Sequence, residues 1–212
     1  MPFSYEIKSL AQPTDEEVGQ ITDILVDAFK DDPLVHTGSG GNKSLEPSFH
    51  RVGVASALLV GRLFVAIEQE TSKIIGTVFF SSPGPSIWAD KERSSKIPGY
   101  LAHLDKLSEN ARLKFTEAIE KYAHIDVPGV DKTNAWSVNS LAVASPYRRK
   151  GVAHALLAAG EALAEADKGK VVLEAGDEET LQMYKNFGYH HAGTTHIEGY
   201  PFYVAQKDFS SK

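Results

Sequence analysis

The chain of 212 residues lacks cysteine entirely and has only two methionines. Without cysteine there can be no disulfide, no thiolate metal site and no covalent intermediate on a cysteine sulfur. No apolar run approaches the length of a bilayer span, and the N-terminus lacks a basic region followed by a hydrophobic core. We therefore expect a soluble cytoplasmic protein without a membrane partner.

Basic residues are also in short supply. Lys and Arg number 22 against 28 Asp and Glu, which gives a formal net charge of −6. A general nucleic-acid binder needs an extended basic surface, so we expect no nucleic-acid partner. The eight histidines show no metal-ligand spacing, and no metal is expected. Length and a 42% hydrophobic content predict one domain, residues 1–212, as a monomer or a homodimer.

Apolar periodicity predicts alternating helices and strands. Helices are expected from Thr14 to about Asp31, over residues 47–59, as one or two helices over 101–123, after Gly151, and up to Tyr184. Strands are expected over residues 62–67, 74–80, 141–143 and 170–175 and in the tail around 192–205, with a glycine-rich loop over 37–42. This order indicates a mixed α/β domain with a central sheet and helices on its faces.

One segment combines a short apolar run, three adjacent cations, a glycine and the start of a helix. Free backbone N–H groups and positive charge at such a turn favour an anion such as a diphosphate. Arginine can present paired donors, and the glycine leaves the main chain open to close approach. The alternative is a solvated basic turn that starts an ordinary amphipathic helix. The candidate residues are Leu141, Ala142, Val143, Arg148, Arg149, Lys150, Gly151, Val152 and Ala153.

Two linked motifs extend this pattern. The first reads Arg148-x-x-Gly151-x-Ala153, and the second, Tyr184-Lys185-Asn186-Phe187-Gly188-Tyr189, follows after a strand-like run. In this order and spacing the chain resembles the GNAT superfamily of N-acetyltransferases, firmly over residues 136–189. The resemblance to branches that acetylate small-molecule amines is looser.

The resemblance implies a GNAT-like twisted mixed sheet with a splayed strand pair that holds acetyl-CoA as cosubstrate. It implies direct acetyl transfer to a primary amine, with main-chain N–H groups of Leu141, Ala142 and Val143 stabilising the oxyanion. Tyr184 matches the family's general acid for the leaving sulfur. The alternative for Tyr184 is a core tyrosine whose hydroxyl is satisfied locally.

The base is the point at which the chain departs from better-known family members. Many of these carry a glutamate where Ser137 stands, and a hydroxyl alone is no base at neutral pH. A water relayed through Ser137 or Asn139, a carboxylate such as Asp27 or Glu174, and bulk solvent all remain open.

A second departure is Asp177, seven residues before Tyr184, where relatives often have an asparagine that contacts the pantetheine arm. Asp177 either makes that contact or caps the helix that follows. Because the strand glutamate is missing, a non-catalytic acyl-CoA-binding regulatory module stays open as an alternative. An acetyltransferase for protein or peptide amines is another, since the sequence does not choose the acceptor. A turn that binds another phosphate ligand is a further alternative.

Overall fold

A computed structural model describes residues 3–210, so the extreme ends of the predicted 1–212 domain lie outside it. Its strands are β1 (Tyr5–Ser9), β2 (Gly61–Glu68), β3 (Ile74–Ser81), β4 (Trp136–Val143), β5 (Lys170–Ala175), β6 (His190–Ile197) and β7 (Tyr200–Asp208). Its helices are α1 (Asp15–Ala28), α2 (Pro33–Gly38), α3 (Glu46–Val60), α4 (Lys91–Ser94), α5 (Tyr100–Leu104), α6 (Glu109–Ala123), α7 (Val152–Ala166) and α8 (Glu178–Asn186).

The strands form one seven-stranded sheet in the order β1-β2-β3-β4-β5-β7-β6. Neighbouring strands are antiparallel except β4 and β5, which are parallel and are joined by α7 as a crossover. A parallel pair needs such a long connection, because a tight hairpin can only join antiparallel strands. The expected mixed α/β architecture is confirmed.

Helices cover both faces of this sheet. Leu156 of α7 and Leu181 of α8 pack on one face together with Phe80 of β3. Ile21 of α1 packs on the other face with Phe79, the neighbour of Phe80 along β3. Successive strand residues point to opposite faces, so two adjacent phenylalanines serve two separate cores.

The opposite face continues towards β7, where α6 takes over from α1. Ala118 of α6 is buried with Val172 of β5 and Val204 of β7. We call the face covered by α7 and α8 the helix-7 face, and the face covered by α1, α3 and α6 the helix-6 face.

The connection between α1 and α3 differs from the expectation. As predicted, Thr14 starts α1 with a reciprocal capping box to Glu17, and α1 ends before Pro33. A new helix, α2, then begins at Pro33, because proline fits the first helical position and the Asp32 side chain accepts from the Leu34 N–H at 2.8 Å. The predicted loop 37–42 is therefore wrong at residues 37–38, which end α2.

The other predicted helices lie close to their expected positions. The helix expected over 47–59 is α3, and the periodic segment 101–123 divides into α5 and α6. Ser108 makes this division, since its hydroxyl accepts from the Ala111 N–H and caps α6. Within residues 3–210 no helix is long and apolar enough to cross a membrane.

One buried histidine gives the fold a pH dependence. His50 of α3 is 6% exposed, and its Nε2 atom has no hydrogen-bond partner within residues 3–210. Burial lowers the pKa of His50 from 6.5 to about 4. Between pH 6.5 and about pH 4, His50 is therefore protonated in the unfolded chain but neutral in the folded chain. The free energy of unfolding consequently decreases as the pH falls through this range.

We expect the substitution His50→Gln to weaken this acid sensitivity. Between pH 7 and pH 4.5 the wild-type chain should lose about 2 kcal/mol more unfolding free energy than the variant, which has no group to titrate at this position. Urea unfolding at the two pH values measures the difference. His190→Gln, at an exposed histidine, is the control and should leave the wild-type loss unchanged; equal losses for His50→Gln and wild type would contradict the assignment.

Candidate functional site

The parallel strands β4 and β5 separate part-way along their length. They pair only from Trp136 with Val171 to Val138 with Leu173. Beyond this point β4 continues along β3, while β5 continues along β7. A gap therefore opens in the middle of the sheet, as expected of the splayed strand pair.

A bulge in β4 coincides with this separation. Phe79 of β3 lies opposite Ser140, but the next residue, Phe80, lies opposite Val138, so Asn139 is the extra residue. A bulge bends its strand and increases the local twist. The Asn139 amide donates to the Ser81 hydroxyl at 2.6 Å, which ties the bulged residue to β3. The bend at Asn139 is therefore placed to carry β4 away from β5.

Strand alternation decides which backbone groups face the gap. The Ala144 N–H donates to the Ile75 carbonyl at 2.9 Å, so this pair belongs to the β3–β4 hydrogen-bond ladder. In an antiparallel pair, residues two positions apart on one strand point their N–H groups to the same side. The N–H of Ala142, two residues before Ala144, therefore also points to β3. The N–H groups of Leu141 and Val143 point to the gap. The Ala142 N–H is thus engaged with β3, and an oxyanion donor at Leu141 and Val143 stays a prediction.

The turn between β4 and α7 forms a concave set of N–H groups. Arg149 has φ 62° and Gly151 has φ 82°, both in the left-handed region. No side chain caps the N-terminus of α7, so the N–H groups of its first turn remain open. Left-handed residues next to open helical N–H groups make an anion-binding concavity, which is the donor set that a diphosphate requires.

The three cations beside this turn have different environments. The Arg148 side chain donates to the Val143 carbonyl at 2.9 Å and to Asp27 of α1 at 3.0 Å. Lys150 lies over the Phe3 ring, with its Nζ atom 4.8 Å from the centroid. Arg149 is exposed to solvent. Arg148, one of the three cations expected to attract a diphosphate, is thus already engaged in holding the turn against β4 and α1.

We call the contacts of Arg148 and Ser145 with Asp27 the clamp, because they tie the turn before α7 to α1. The Asp27 carboxylate accepts from the Ser145 hydroxyl at 2.6 Å, and this bond, followed by the charge of Arg148, lowers its pKa. Both hydrogen bonds favour the ionised form. Asp27 is therefore committed to the clamp at physiological pH.

Tyr184 lies on α8, on the helix-7 face of the gap. Its ring packs edge-on against that of Tyr189, with the centroids 5.8 Å apart, and the residue is buried. Its role as the general acid stays a prediction. Burial raises the pKa of Tyr184, and the negative charges of Glu174 and Asp177 raise it further, so the hydroxyl keeps its proton.

Asp177 is the N-cap of α8. Its Oδ1 accepts from the Thr180 N–H at 2.7 Å, and its Oδ2 accepts from the Thr180 hydroxyl at 2.9 Å. This is the capping alternative of the two that the sequence left open. Contact between Asp177 and a pantetheine arm remains a prediction.

A polar group on the helix-6 face of the gap is only partly predictable from the sequence. Glu174 of β5 accepts from the Tyr122 hydroxyl at 2.8 Å, and the Lys132 ammonium lies 2.8 Å from its other oxygen. Ser137 is opposite Val172 in the parallel pairing, which places it on this same face, half-buried. Tyr122 and Lys132 come from distant segments with no motif, so no sequence signal could have connected them to Glu174.

Comparisons with known proteins agree with this geometry. Residues 110–191 match the family model described as Acetyltransferase (GNAT) domain. No curated protein sequence matches the chain. A Corynebacterium glutamicum structure, described as histone acetyltransferase HPA2 and related acetyltransferase, aligns at 21% identity and TM-score 0.62, over 97% of this chain and 96% of its own.

Two further solved structures have the same fold along nearly the whole chain. Arylalkylamine N-acetyltransferase 2 from Aedes aegypti aligns at 17% identity and TM-score 0.62, covering 97% of this chain and 99% of its own. An agmatine N-acetyltransferase mutant aligns at 13% identity and TM-score 0.61, covering 96% and 99%.

The chain is a mixed α/β protein whose central parallel strands separate beside an uncapped helix N-terminus. Residues 110–191 match the GNAT acetyltransferase domain, and the whole chain has the fold of the solved acetyltransferases described above.

Because Arg148 and Asp27 form an ion pair in the clamp, we expect their contributions to stability to be energetically coupled. In a double-mutant cycle with Arg148→Ala and Asp27→Ala, we expect a coupling free energy of about 0.5 kcal/mol, the usual range for a half-exposed ion pair. Urea unfolding of the four proteins measures it. The matched cycle with Arg149→Ala and Asp27→Ala should be additive, and equal coupling in the two cycles would contradict the clamp.

Proposed function

We propose that this enzyme transfers the acetyl group of acetyl-CoA directly to a primary amine of a small molecule. The observation that carries the proposal is the gap between β4 and β5, which has open N–H groups on one wall and Tyr184 at its side. Acetyl-CoA would supply the activated thioester. The residues around the gap would orient it, take a proton from the amine and give a proton to the leaving sulfur.

The concavity at the start of α7 fits the diphosphate of coenzyme A. The main chain at residues 149–154 provides the donors, and the α7 dipole favours negative charge there. Arg149 and Lys150 add positive charge, while Arg148 and Asp27 hold the turn in place. We therefore assign Val152 and Ala153 to the ligand through their N–H groups rather than their side chains.

The chemistry requires donors for an oxyanion and for a leaving thiolate. We assign the first role to the N–H groups of Leu141 and Val143, because they face the gap without β5 as a partner. Tyr184 is assigned the second role, since a buried phenol with a raised pKa stays protonated until the sulfur becomes basic.

The acceptor is expected on the helix-6 face, opposite the cosubstrate. A shallow pocket lies there between α2, α6 and the β6–β7 hairpin, with Leu34, Phe202 and Glu198 in its wall. The acidic chain would attract a cationic amine. Two structural neighbours are named as N-acetyltransferases of agmatine and of arylalkylamines, which favours a small amine here.

The second candidate is a protein or peptide amine as acceptor. It is favoured by the Corynebacterium structure, whose description includes a histone acetyltransferase. Release of coenzyme A thiol from acetyl-CoA, measured with a panel of small amines and with peptides carrying lysines, distinguishes the two. Turnover with the peptides alone would overturn the proposed substrate class.

Tyr184→Phe tests the general acid. We expect acetyl transfer to the best acceptor to fall by about tenfold or more, because the leaving sulfur loses its proton donor, while acetyl-CoA affinity changes little. Tyr189→Phe is the matched control, since Tyr189 is also buried and its hydroxyl has no hydrogen-bond partner within residues 3–210. Undiminished transfer by Tyr184→Phe would remove this residue from the mechanism.

Gly151→Glu tests the diphosphate site. Because φ at Gly151 is 82°, any side chain strains the turn, so the variant is compared with Gly151→Gln, which has the same size and strain without charge. We expect Gly151→Glu to bind acetyl-CoA at least tenfold more weakly than Gly151→Gln in calorimetry. Equal affinities would mean that no phosphate lies near this residue.

A further inference from the structure

Glu174 holds the first position of β5 beyond its pairing with β4. Strand alternation places it on the same face as Val172, which packs with α6, whereas Leu173 and Ala175 pack with α7 and α8. The carboxylate is therefore at the mouth of the gap, on the face opposite Tyr184. This position follows from register and burial alone.

The Glu174 carboxylate is buried and has a partner on each of its oxygens. The Glu174 side chain is 3% exposed, and the Tyr122 hydroxyl donates to Oε2. The other oxygen, Oε1, is buried and forms an ion pair with the Lys132 ammonium, whose Nζ atom lies 2.8 Å away. A buried carboxylate held between a hydroxyl and a cation at the mouth of the gap is placed to take a proton from a ligand there.

The groups around Glu174 come from four separate elements. Tyr122 projects from α6, Lys132 from the turn before β4, Asp32 from the start of α2 and Tyr184 from α8. Burial raises the pKa values of Tyr122 and Tyr184, and the charge of Glu174 raises both further; Asp32 adds to the effect at Tyr122. The carboxylate thus interacts electrostatically with the acid across the gap.

The other groups that the sequence offers for a base are less suitable. Asp27 is held by Ser145 and Arg148 at the turn before α7. Asn139 has no basic atom, and its amide donates to Ser81. The Ser137 hydroxyl cannot take a proton unaided, although it lies on the same face as Glu174.

We propose that Glu174 is the general base of the acetyl transfer, with Oε1 taking the proton of the acceptor amine as it enters the gap from the helix-6 face. Tyr122 and Lys132 are positioning residues, because they hold the carboxylate without touching the acceptor. This inference rests on the proposed function, since it needs an amine as acceptor.

The proton balance closes within the site. As the amine nitrogen bonds to the acetyl carbon, one N–H proton passes to Glu174, and the carbon–sulfur bond breaks while Tyr184 gives its proton to the sulfur. The amide and the free thiol leave, and the proton on Glu174 returns to the phenolate of Tyr184 through the gap. No proton is gained or lost over one turnover of a neutral amine.

Glu174→Gln is the direct test. The acceptor should be the least basic amine that the wild-type enzyme accepts. The fall of kcat/KM at low pH, which we call the acidic limb, then reflects protonation of the enzyme rather than of the amine. We expect kcat/KM at neutral pH to fall by about 100-fold and the acidic limb to disappear, with acetyl-CoA affinity unchanged. Glu179→Gln, at an exposed carboxylate in the first turn of α8, should keep both.

Lys132→Gln provides a second test that does not depend on the Glu174 variant being folded. Removing the ammonium that stabilises the negative charge of Glu174 should move the acidic limb to higher pH than in the wild-type enzyme. An unchanged limb in Lys132→Gln, or a limb retained in a folded Glu174→Gln enzyme, would overturn the assignment. If the wild-type chain acetylates no amine at all, the proposed function itself fails; an active wild type with unaffected variants refutes only the base.

Discussion

The separation of β4 from β5 is the constraint on which the rest of the site depends. Two parallel strands that pair over three residues and then diverge leave backbone donors without a partner, in the interior of a sheet whose other strands remain hydrogen-bonded. Unpaired backbone N–H groups inside a protein are costly unless water or a ligand satisfies them. The bulge at Asn139 lies where the strands part, so the distortion that opens the gap is built into β4 itself.

The candidate residues around the gap lie on both faces of the sheet. Tyr184 and the turn before α7 serve the helix-7 face, while Glu174, Tyr122 and the shallow pocket serve the helix-6 face. Under the proposed function, the two substrates would approach the gap from opposite faces of the sheet.

Much of this can be predicted from the sequence, and the exceptions have physical reasons. The α7 turn and Tyr184 belong to short motifs whose spacing reflects local geometry. β1 escapes prediction because it is a five-residue edge strand with little burial, and α2 because its start depends on the Asp32 cap more than on apolar periodicity. The roles of Arg148 and Glu174 depend on partners far away in the chain, Asp27 and Lys132, which no local pattern contains.

Calorimetric titration of the purified protein with acetyl-CoA tests the central claim most directly, with coenzyme A and ATP as comparators. If the gap and the turn before α7 form one site for the pantetheine arm and the diphosphate, acetyl-CoA and coenzyme A should bind well and ATP weakly or not at all. Binding of ATP as tight as that of acetyl-CoA, or no binding of acetyl-CoA, would contradict the account.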